Sequence, residues 1–149
     1  SLWQAAKDAE KGPENTPASI YAKPVVSLSA LDRATAVQKK AAKVGFDWTD
    51  EAGIMVKIEE ETRELSEALA SGDQDHIDEE LGDLLFAAVN LARFRKRRSA
   101  DALLRAACRK FVARFQFVEQ ELVRGGRKPE TCTIEELEAC YQKAKKMQI

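Results

Sequence analysis

The chain has 149 residues, of which 44% are apolar and 33% are charged. This length corresponds to about one domain of ~100–150 residues, which can bury a core without disulfides or a structural metal. The 24 basic and 25 acidic side chains leave a formal net charge of −1, which argues against a basic nucleic-acid-binding protein. No apolar run approaches the ~20 residues that a membrane helix needs. We therefore expect neither a membrane segment nor direct binding of nucleic acid.

Cysteine and histidine restrict the kinds of metal site that the chain can form. There are three cysteines and one histidine, His76. An odd number of cysteines without CxxC spacing favours a reducing compartment, so we expect a cytoplasmic location. One histidine is too few for an HExxH zinc site or for a di-iron bundle with paired ExxH motifs. Any metal ion would therefore be bound mainly by oxygen ligands.

The composition changes near residue 29. Residues 1–28 hold three of the four prolines, and we predict an N-terminal arm or interdomain linker there. Residues 29–149 have helical periodicity nearly throughout and no sustained alternation of apolar and polar residues, so we predict one all-α domain. The domain should be a bundle of about five helices: Ala30–Val44, Asp50–Ala70, Asp75–Arg97, a fourth between Ser99 and Gly125, and Ile134–Met147.

The second predicted helix has an acidic residue where its apolar face should continue. Its apolar face passes through Ile54, Ile58, Leu65, Ala68 and Leu69. Between Ile58 and Leu65 the helical repeat reaches Glu61, and Glu64 follows three residues later. Glu60 lies beside them. The sequence therefore places at least one carboxylate at a position where a core residue is expected.

The third predicted helix repeats this pattern. Its apolar face extends back to Glu80, with Asp83 three residues later and Asn90 seven residues beyond that. A short connection over residues 71–74 predicts that the second and third helices are antiparallel neighbours. Four carboxylates would then converge in a partly buried site, where they must either take up protons or bind cations. Mg²⁺ is the natural partner, with Mn²⁺ as a substitute, although an acid-rich helix face can also be only a solvated surface.

Two further features allow more than one interpretation. On the fourth helix, Lys110 and Arg114 are spaced i, i+4 and can hold phosphate oxygens, or they can cover the core with their aliphatic stems. In the loop before the second helix, Trp48 can form a hydrophobic staple or a surface on which a nucleobase stacks.

Taken together, these motifs resemble a known family. Glu60-Glu61-x-x-Glu64 followed by Glu80-x-x-Asp83 resembles the EExxE…ExxD signature of the all-α nucleoside triphosphate pyrophosphohydrolases. Three blocks are similar to the MazG family in order and spacing: residues 44–48, 79–93 and 109–119. The resemblance covers roughly residues 31–141. Residues 3–31 resemble the segment that leads into the second domain of two-domain members, which favours this chain being the C-terminal part of such a protein.

The resemblance implies an activity and a role for each residue. MazG proteins hydrolyse nucleoside triphosphates between the α and β phosphates, require Mg²⁺, and form homodimers or higher assemblies. The implied Mg²⁺ ligands are Glu61, Glu64, Glu80 and Asp83. Glu60 would support them or orient water, Lys110 and Arg114 would hold the phosphates, Asn90 would lie close to the site, and Trp48 would contact the base. The implied catalytic group comprises Glu60, Glu61, Lys110 and Arg114.

Two alternatives to this general activity stay open at the level of sequence. One is a pyrophosphatase of narrow specificity, for example for dUTP or dCTP. The other is a catalytically silent helical dimerisation module whose acidic residues are structural. Wide apolar faces on alanine-rich helices favour dimerisation under each interpretation.

Overall fold

A computed structural model describes residues 18–26 and 29–149 of the chain. Within these ranges there are five α-helices, one short 3₁₀ helix and no strand, so the prediction of an all-α fold with about five helices is confirmed. The α-helices are α1 (Ala30–Lys43), α2 (Glu51–Ser71), α3 (Gln74–Arg95), α4 (Ala100–Arg124) and α5 (Ile134–Lys146), and the 3₁₀ helix is Pro129–Thr131. The predicted arm, residues 1–28, lies mostly outside the described residues, and the boundary at residue 29 stays a prediction.

Side-chain caps explain where four of the helices begin. Ser29, Asp50 and Asp73 each accept a hydrogen bond from the backbone N–H three residues later, at 3.1, 2.8 and 3.2 Å. Thr133 and Glu136 form a reciprocal capping box at the start of α5, with distances of 3.2 and 3.1 Å. Each cap satisfies a donor that the helix itself leaves without a partner.

The backbone conformation explains where α2 and α3 end. Gly72 follows α2 with φ 76°, a left-handed conformation that suits glycine. Lys96 follows α3 with φ 54° in the same region. The prediction that the third helix continues to Arg97 is therefore wrong, because the left-handed turn at Lys96 ends the helix at Arg95.

The described residues up to Asp101 form the first of two compact units. In this unit α3 packs against both α1 and α2. The buried apolar side chains are mainly small: Ile54, Ala68, Ala87, Val89 and Ala100. Leu69, which was predicted to lie on the buried face of the second helix, is 58% exposed. The preceding Ala68 occupies the buried position, and the step of about 100° to the next residue turns Leu69 outward.

Residues 102–149 form the second unit. Its buried apolar residues are Val118 and Leu122 on α4 and Ala144 on α5. An ion pair of 2.9 Å joins Glu121 to Lys143, and the rings of Phe111 and Tyr141 lie 5.8 Å apart. No helix in the described ranges is long and apolar enough to cross a membrane.

Candidate metal centre

Three glutamates from two consecutive helices meet in the first unit. Glu61 and Glu64 lie on α2, Glu80 lies on α3, and one carboxylate oxygen from each falls within 4.8 Å of the others. Glu61 and Glu80 are buried, with 5% and 8% of their surface exposed, and Glu64 is half-buried. Only Gly72 and Asp73 separate the two helices. The short connection therefore brings together three of the four predicted carboxylates.

The charges of this cluster are only partly neutralised by the protein. Lys57 Nζ lies 2.8 Å from Glu61 Oε1 and 3.7 Å from Glu60 Oε2. Glu61 Oε2 and Glu80 Oε2 are buried and have no hydrogen-bond partner. A buried carboxylate oxygen without a partner is costly, because it has lost its hydration and gained nothing in return. A cation bound between these oxygens would remove that cost.

The protonation of Glu80 reflects the same environment. Burial raises the pKa of the Glu80 carboxyl above its usual range, and the negative charge and hydrogen bond of Glu64 raise it further. His76 acts in the opposite direction, since its Nε2 lies 3.9 Å from Glu80 Oε1. The Glu80 carboxylate is therefore stabilised either by taking up a proton or by binding a metal ion.

The donor set fits a hard divalent cation. Three carboxylates offer the oxygen ligands that Mg²⁺ and Mn²⁺ prefer, and such sites complete their coordination with water and substrate phosphates.

Asp83, the fourth predicted ligand, is exposed and lies outside this group of three. Its role as a ligand stays a prediction. Glu60, which directly precedes Glu61 on α2, contacts Lys57 and is half-buried.

Lys57 was missed by the sequence interpretation. Its signal is the i, i+4 spacing to Glu61, which places two opposite charges on one side of a helix. The pair raises the pKa of the Lys57 ammonium, mainly through its hydrogen bond with Glu61. Lys57 therefore stays charged beside the cluster and offsets part of its negative charge.

Trp48 and Asn90, two of the predicted substrate-binding residues, line the same cavity of about 580 Å³ in the first unit. A Cβ atom added at Gly53 would lie 3.1 Å from Trp48 Cε3, so the indole packs closely over the start of α2. The residue as a whole is 38% exposed. Both interpretations of Trp48, as a staple and as a stacking surface, are compatible with this position.

An ion pair that was not predicted borders this cavity. Arg93 is 8% exposed, and its guanidinium donates to both carboxylate oxygens of Asp47, at 2.6 and 3.2 Å. Arg93 Nε also donates to Asn90 Oδ1 at 2.8 Å. The hydrogen bond from Arg93 lowers the pKa of Asp47. No local signal reveals this pair, because its two members are 46 positions apart.

Gln38 on α1 is a second residue that was not predicted. It is 6% exposed, its Nε2 donates to the carbonyl oxygen of Phe86 at 2.9 Å, and its Oε1 is buried without a partner. The sequence does hold a signal for Gln38, because this polar amide lies on the side of α1 that also carries the apolar residues Ala34 and Ala41. The amide links α1 to α3 beside the cavity.

Lys110 and Arg114, the predicted phosphate-binding residues, lie on α4 within the second unit. Arg114 is half-buried, donates from Nε to the carbonyl oxygen of Ile149 at 2.8 Å, and lies 5.8 Å from the centre of the Tyr141 ring. Lys110 is exposed. Part of the Arg114 guanidinium is thus occupied within its own unit, whereas Lys110 is exposed and forms no ion pair among the described residues.

The described part of the chain is therefore all-helical, and carboxylates from two consecutive helices form a group that could hold a metal ion. Residues 50–118 match the MazG nucleotide pyrophosphohydrolase domain, and this range contains all three clustered glutamates. This part of the chain is therefore similar to MazG domains, and the predicted resemblance is confirmed.

Two curated relatives extend the similarity to nearly the whole chain. The nucleoside triphosphate pyrophosphohydrolase/pyrophosphatase MazG of Thermotoga maritima is 41% identical over 143 residues, which cover 96% of this chain and 54% of the relative. The nucleoside triphosphate pyrophosphohydrolase of Escherichia coli K12 is 36% identical over 149 residues, which cover 99% of this chain and 56% of the relative. The chain thus spans about half the length of the curated relatives that it matches.

Proposed function

We propose that this chain is a Mg²⁺-dependent nucleoside triphosphate pyrophosphohydrolase, which cleaves the bond between the α and β phosphates to give a monophosphate and pyrophosphate. One observation carries the proposal: the region that matches the MazG domain contains a group of three glutamates, and each of the two buried ones has an oxygen without a partner. The names of the two relatives support a nucleotide substrate.

The metal site of this proposal is the glutamate cluster. Glu61, Glu64 and Glu80 would hold Mg²⁺, or Mn²⁺ in its place, and Asp83 would be a fourth ligand. When bound there, a divalent ion would supply positive charge against the phosphate oxygens, where negative charge develops during hydrolysis. Glu60, next to the cluster, would orient the attacking water or accept its proton.

The remaining predicted residues would bind the nucleotide. Lys110 and Arg114 would hold phosphate oxygens, and the exposed ammonium of Lys110 is available for that contact. Trp48 would stack on the base at the cavity that it shares with Asn90. Asn90 would orient the nucleotide from α3, where its own Oδ1 is fixed by Arg93.

Two architectural features belong to the same proposal. The two-residue connection, with Glu64 and Glu80 each eight positions from Gly72, supports an antiparallel pair of α2 and α3.

We also propose a homodimer or higher homo-oligomer, supported by apolar side chains on α2 and α3 that are more than 40% exposed: Met55, Val56, Leu69, Leu81, Leu85 and Phe86. A cytoplasmic location and a position in the C-terminal half of a longer protein stay predictions.

The proposal is tested by incubating the protein with a panel of ribo- and deoxyribonucleoside triphosphates, in Mg²⁺ and in EDTA, and by separating the products chromatographically. Monophosphate and pyrophosphate formed only with Mg²⁺ are the expected result. A diphosphate with orthophosphate would contradict the assigned bond. Turnover of a single pyrimidine deoxynucleotide would identify an enzyme of narrow specificity, and absence of all turnover would favour the silent module.

A further inference from the structure

A second cavity in the first unit has a strongly basic lining. Its volume is about 650 Å³, and its walls come from α1, the end of α3 and the first residue of α4. Five lysines and arginines line it in addition to Arg93: Lys39, Lys43, Lys96, Arg97 and Arg98. The lining includes one acidic residue, Asp47, which is already paired with Arg93 at 2.6 Å.

None of these five cations forms a salt bridge within residues 18–26 and 29–149. The contrast with the whole chain is large, because basic and acidic residues otherwise nearly cancel to a formal net charge of −1. Other basic residues of the first unit do have acidic partners: Arg95 pairs with Glu51, and Arg63 pairs with Glu67. Five neighbouring charges of one sign repel one another, and a bound anion would remove that repulsion.

The partial negative charges at the C-terminal ends of the helices are too small to neutralise these five cations. Cations are favoured at helix C-termini, which carry about −0.5 charge each, and α1 and α3 both end at this cavity. Two such ends amount to about −1, and the N-terminus of α4 at Ala100 offsets half of that value. Five full positive charges therefore exceed what the helix ends can neutralise.

The geometry favours a compact ligand with several negative charges. Lys39 and Lys43 are one turn apart on α1, whereas Lys96, Arg97 and Arg98 follow the end of α3, so cations approach the cavity from two sides. Arginine binds phosphate oxygens through a planar fork, and lysine contributes a compact charge. A nucleic-acid strand needs an extended basic track, but this cluster is concentrated around one cavity.

We propose that this cavity binds the phosphate chain of an oligophosphate, either a free inorganic oligophosphate or the phosphate end of a nucleotide. The site is distinct from the glutamate cluster: it is formed by the C-terminal ends of α1 and α3, whereas Glu80 lies in the first half of α3. Its existence does not depend on the proposed hydrolysis, since a protein without turnover would still carry these five cations.

The test is isothermal titration calorimetry of the full chain with inorganic tripolyphosphate in EDTA, which removes metal-dependent binding. Two double variants remove charge from the two sides of the cavity: Lys39→Gln with Lys43→Gln, and Arg97→Gln with Arg98→Gln. The matched control, Lys128→Gln with Lys146→Gln, removes two exposed charges that have no described ion pair in the second unit. Circular dichroism melting verifies that every variant is folded.

We expect each cavity variant to weaken tripolyphosphate binding about tenfold or more, because charged hydrogen bonds to phosphate are lost. The control should bind as the wild type does, and binding should weaken as salt is added. A parallel titration with a non-hydrolysable nucleoside triphosphate distinguishes the two sources, since a nucleotide complex that is tighter than the tripolyphosphate complex and is weakened in both cavity variants assigns the site to nucleotides. Wild-type affinity in both cavity variants would overturn the proposal, as would binding of a single-stranded oligonucleotide without binding of tripolyphosphate.

Discussion

At the scale of single residues, the glutamate cluster combines a cost in stability with a capacity to bind metal. Glu61 and Glu80 occupy positions on the buried sides of α2 and α3 where an apolar residue would be more stable. Lys57 pairs with only one oxygen of Glu61, and an oxygen of each buried glutamate has no partner. Such an arrangement is unfavourable in the absence of a ligand, and a cation would reverse the balance.

Substitution of Glu80 by Gln should stabilise the metal-free protein at neutral pH. The raised pKa means that the folded state binds more protons than the unfolded state between the ordinary value of 4.5 and the folded value. Stability therefore falls as pH rises through that window, and the variant avoids this loss. Urea unfolding in EDTA should show a higher free energy of unfolding for the variant at pH 7 and little difference below pH ~4.

The control is Glu79→Gln, which alters an exposed neighbour on α3 and should change stability by less than about 0.5 kcal/mol. Equal stabilisation by both substitutions would point to a general charge effect. In that case the buried environment of Glu80 would not be the cause of the stabilisation.

Mg²⁺ should stabilise the wild-type protein through the same residues. At a concentration 100 times its Kd, a ligand that binds only the folded state adds about 2.7 kcal/mol to the free energy of unfolding. Thermal melting should show this increase for the wild type and for Glu79→Gln, but not for Glu80→Gln. A wild-type protein that is indifferent to saturating Mg²⁺ would count against a metal site.

At the scale of helices and loops, much of the fold is predictable because the relevant signals are local. The five helices follow from apolar periodicity, and the starts of α1, α2, α3 and α5 follow from caps that act over three residues. The meeting of Glu61, Glu64 and Glu80 follows from i, i+3 spacing and a short connection. These features require no knowledge of distant contacts.

Other features depend on packing between segments that are far apart in sequence. The ion pair between Asp47 and Arg93 and the hydrogen bond from Gln38 to Phe86 span 46 and 48 positions. Asp83 shares the ExxD spacing with Glu80 and lies on α3, where it is exposed and outside the group of three glutamates. The spacing predicts which helix carries Asp83, and its role as a ligand stays a prediction.

Removal of the Asp47 carboxylate should destabilise the first unit, because Asp47 anchors the loop between α1 and α2 to the end of α3. The Asp47→Asn variant leaves the Arg93 guanidinium, whose side chain is 5% exposed, without its charged partner. We expect a loss of about 1–3 kcal/mol in urea unfolding at pH 7. Since Arg93 lowers the pKa of Asp47, the wild-type advantage should disappear only as pH falls through a value below 3.8.

Asp78→Asn is the matched control, since Asp78 is an exposed acid on α3 and has no described partner. If the two variants unfold at the same urea concentration, the ion pair contributes nothing measurable to stability.

At the scale of the whole molecule, each of the two units buries few large side chains among its described residues. Among the described residues, Ile54 and Val118 are the only large side chains with less than 2% of their surface exposed. Meanwhile Leu81 and Leu85, one turn apart on α3, are 45% and 60% exposed. A chain of this kind gains stability when such apolar surface is buried against a second copy.

The double substitution Leu81→Glu with Leu85→Glu should therefore weaken self-association. Light scattering at micromolar concentration should give an oligomeric mass for the wild type and a monomeric mass for the variant, because charge on an apolar contact surface opposes its burial. Ser66→Glu with Ala70→Glu is the control for added charge on exposed positions. A monomeric wild-type protein would contradict the prediction.

The most direct test of the central claim compares Glu61→Gln with Glu59→Gln, which changes an exposed glutamate two positions away on the same helix. The measurement is the initial rate at which each variant releases monophosphate and pyrophosphate from a nucleoside triphosphate in Mg²⁺. Loss of a buried metal ligand should reduce kcat/KM by about a hundredfold or more, whereas Glu59→Gln should retain the wild-type rate. A Glu61→Gln variant with the full rate would show that the glutamate cluster does not hold the catalytic metal.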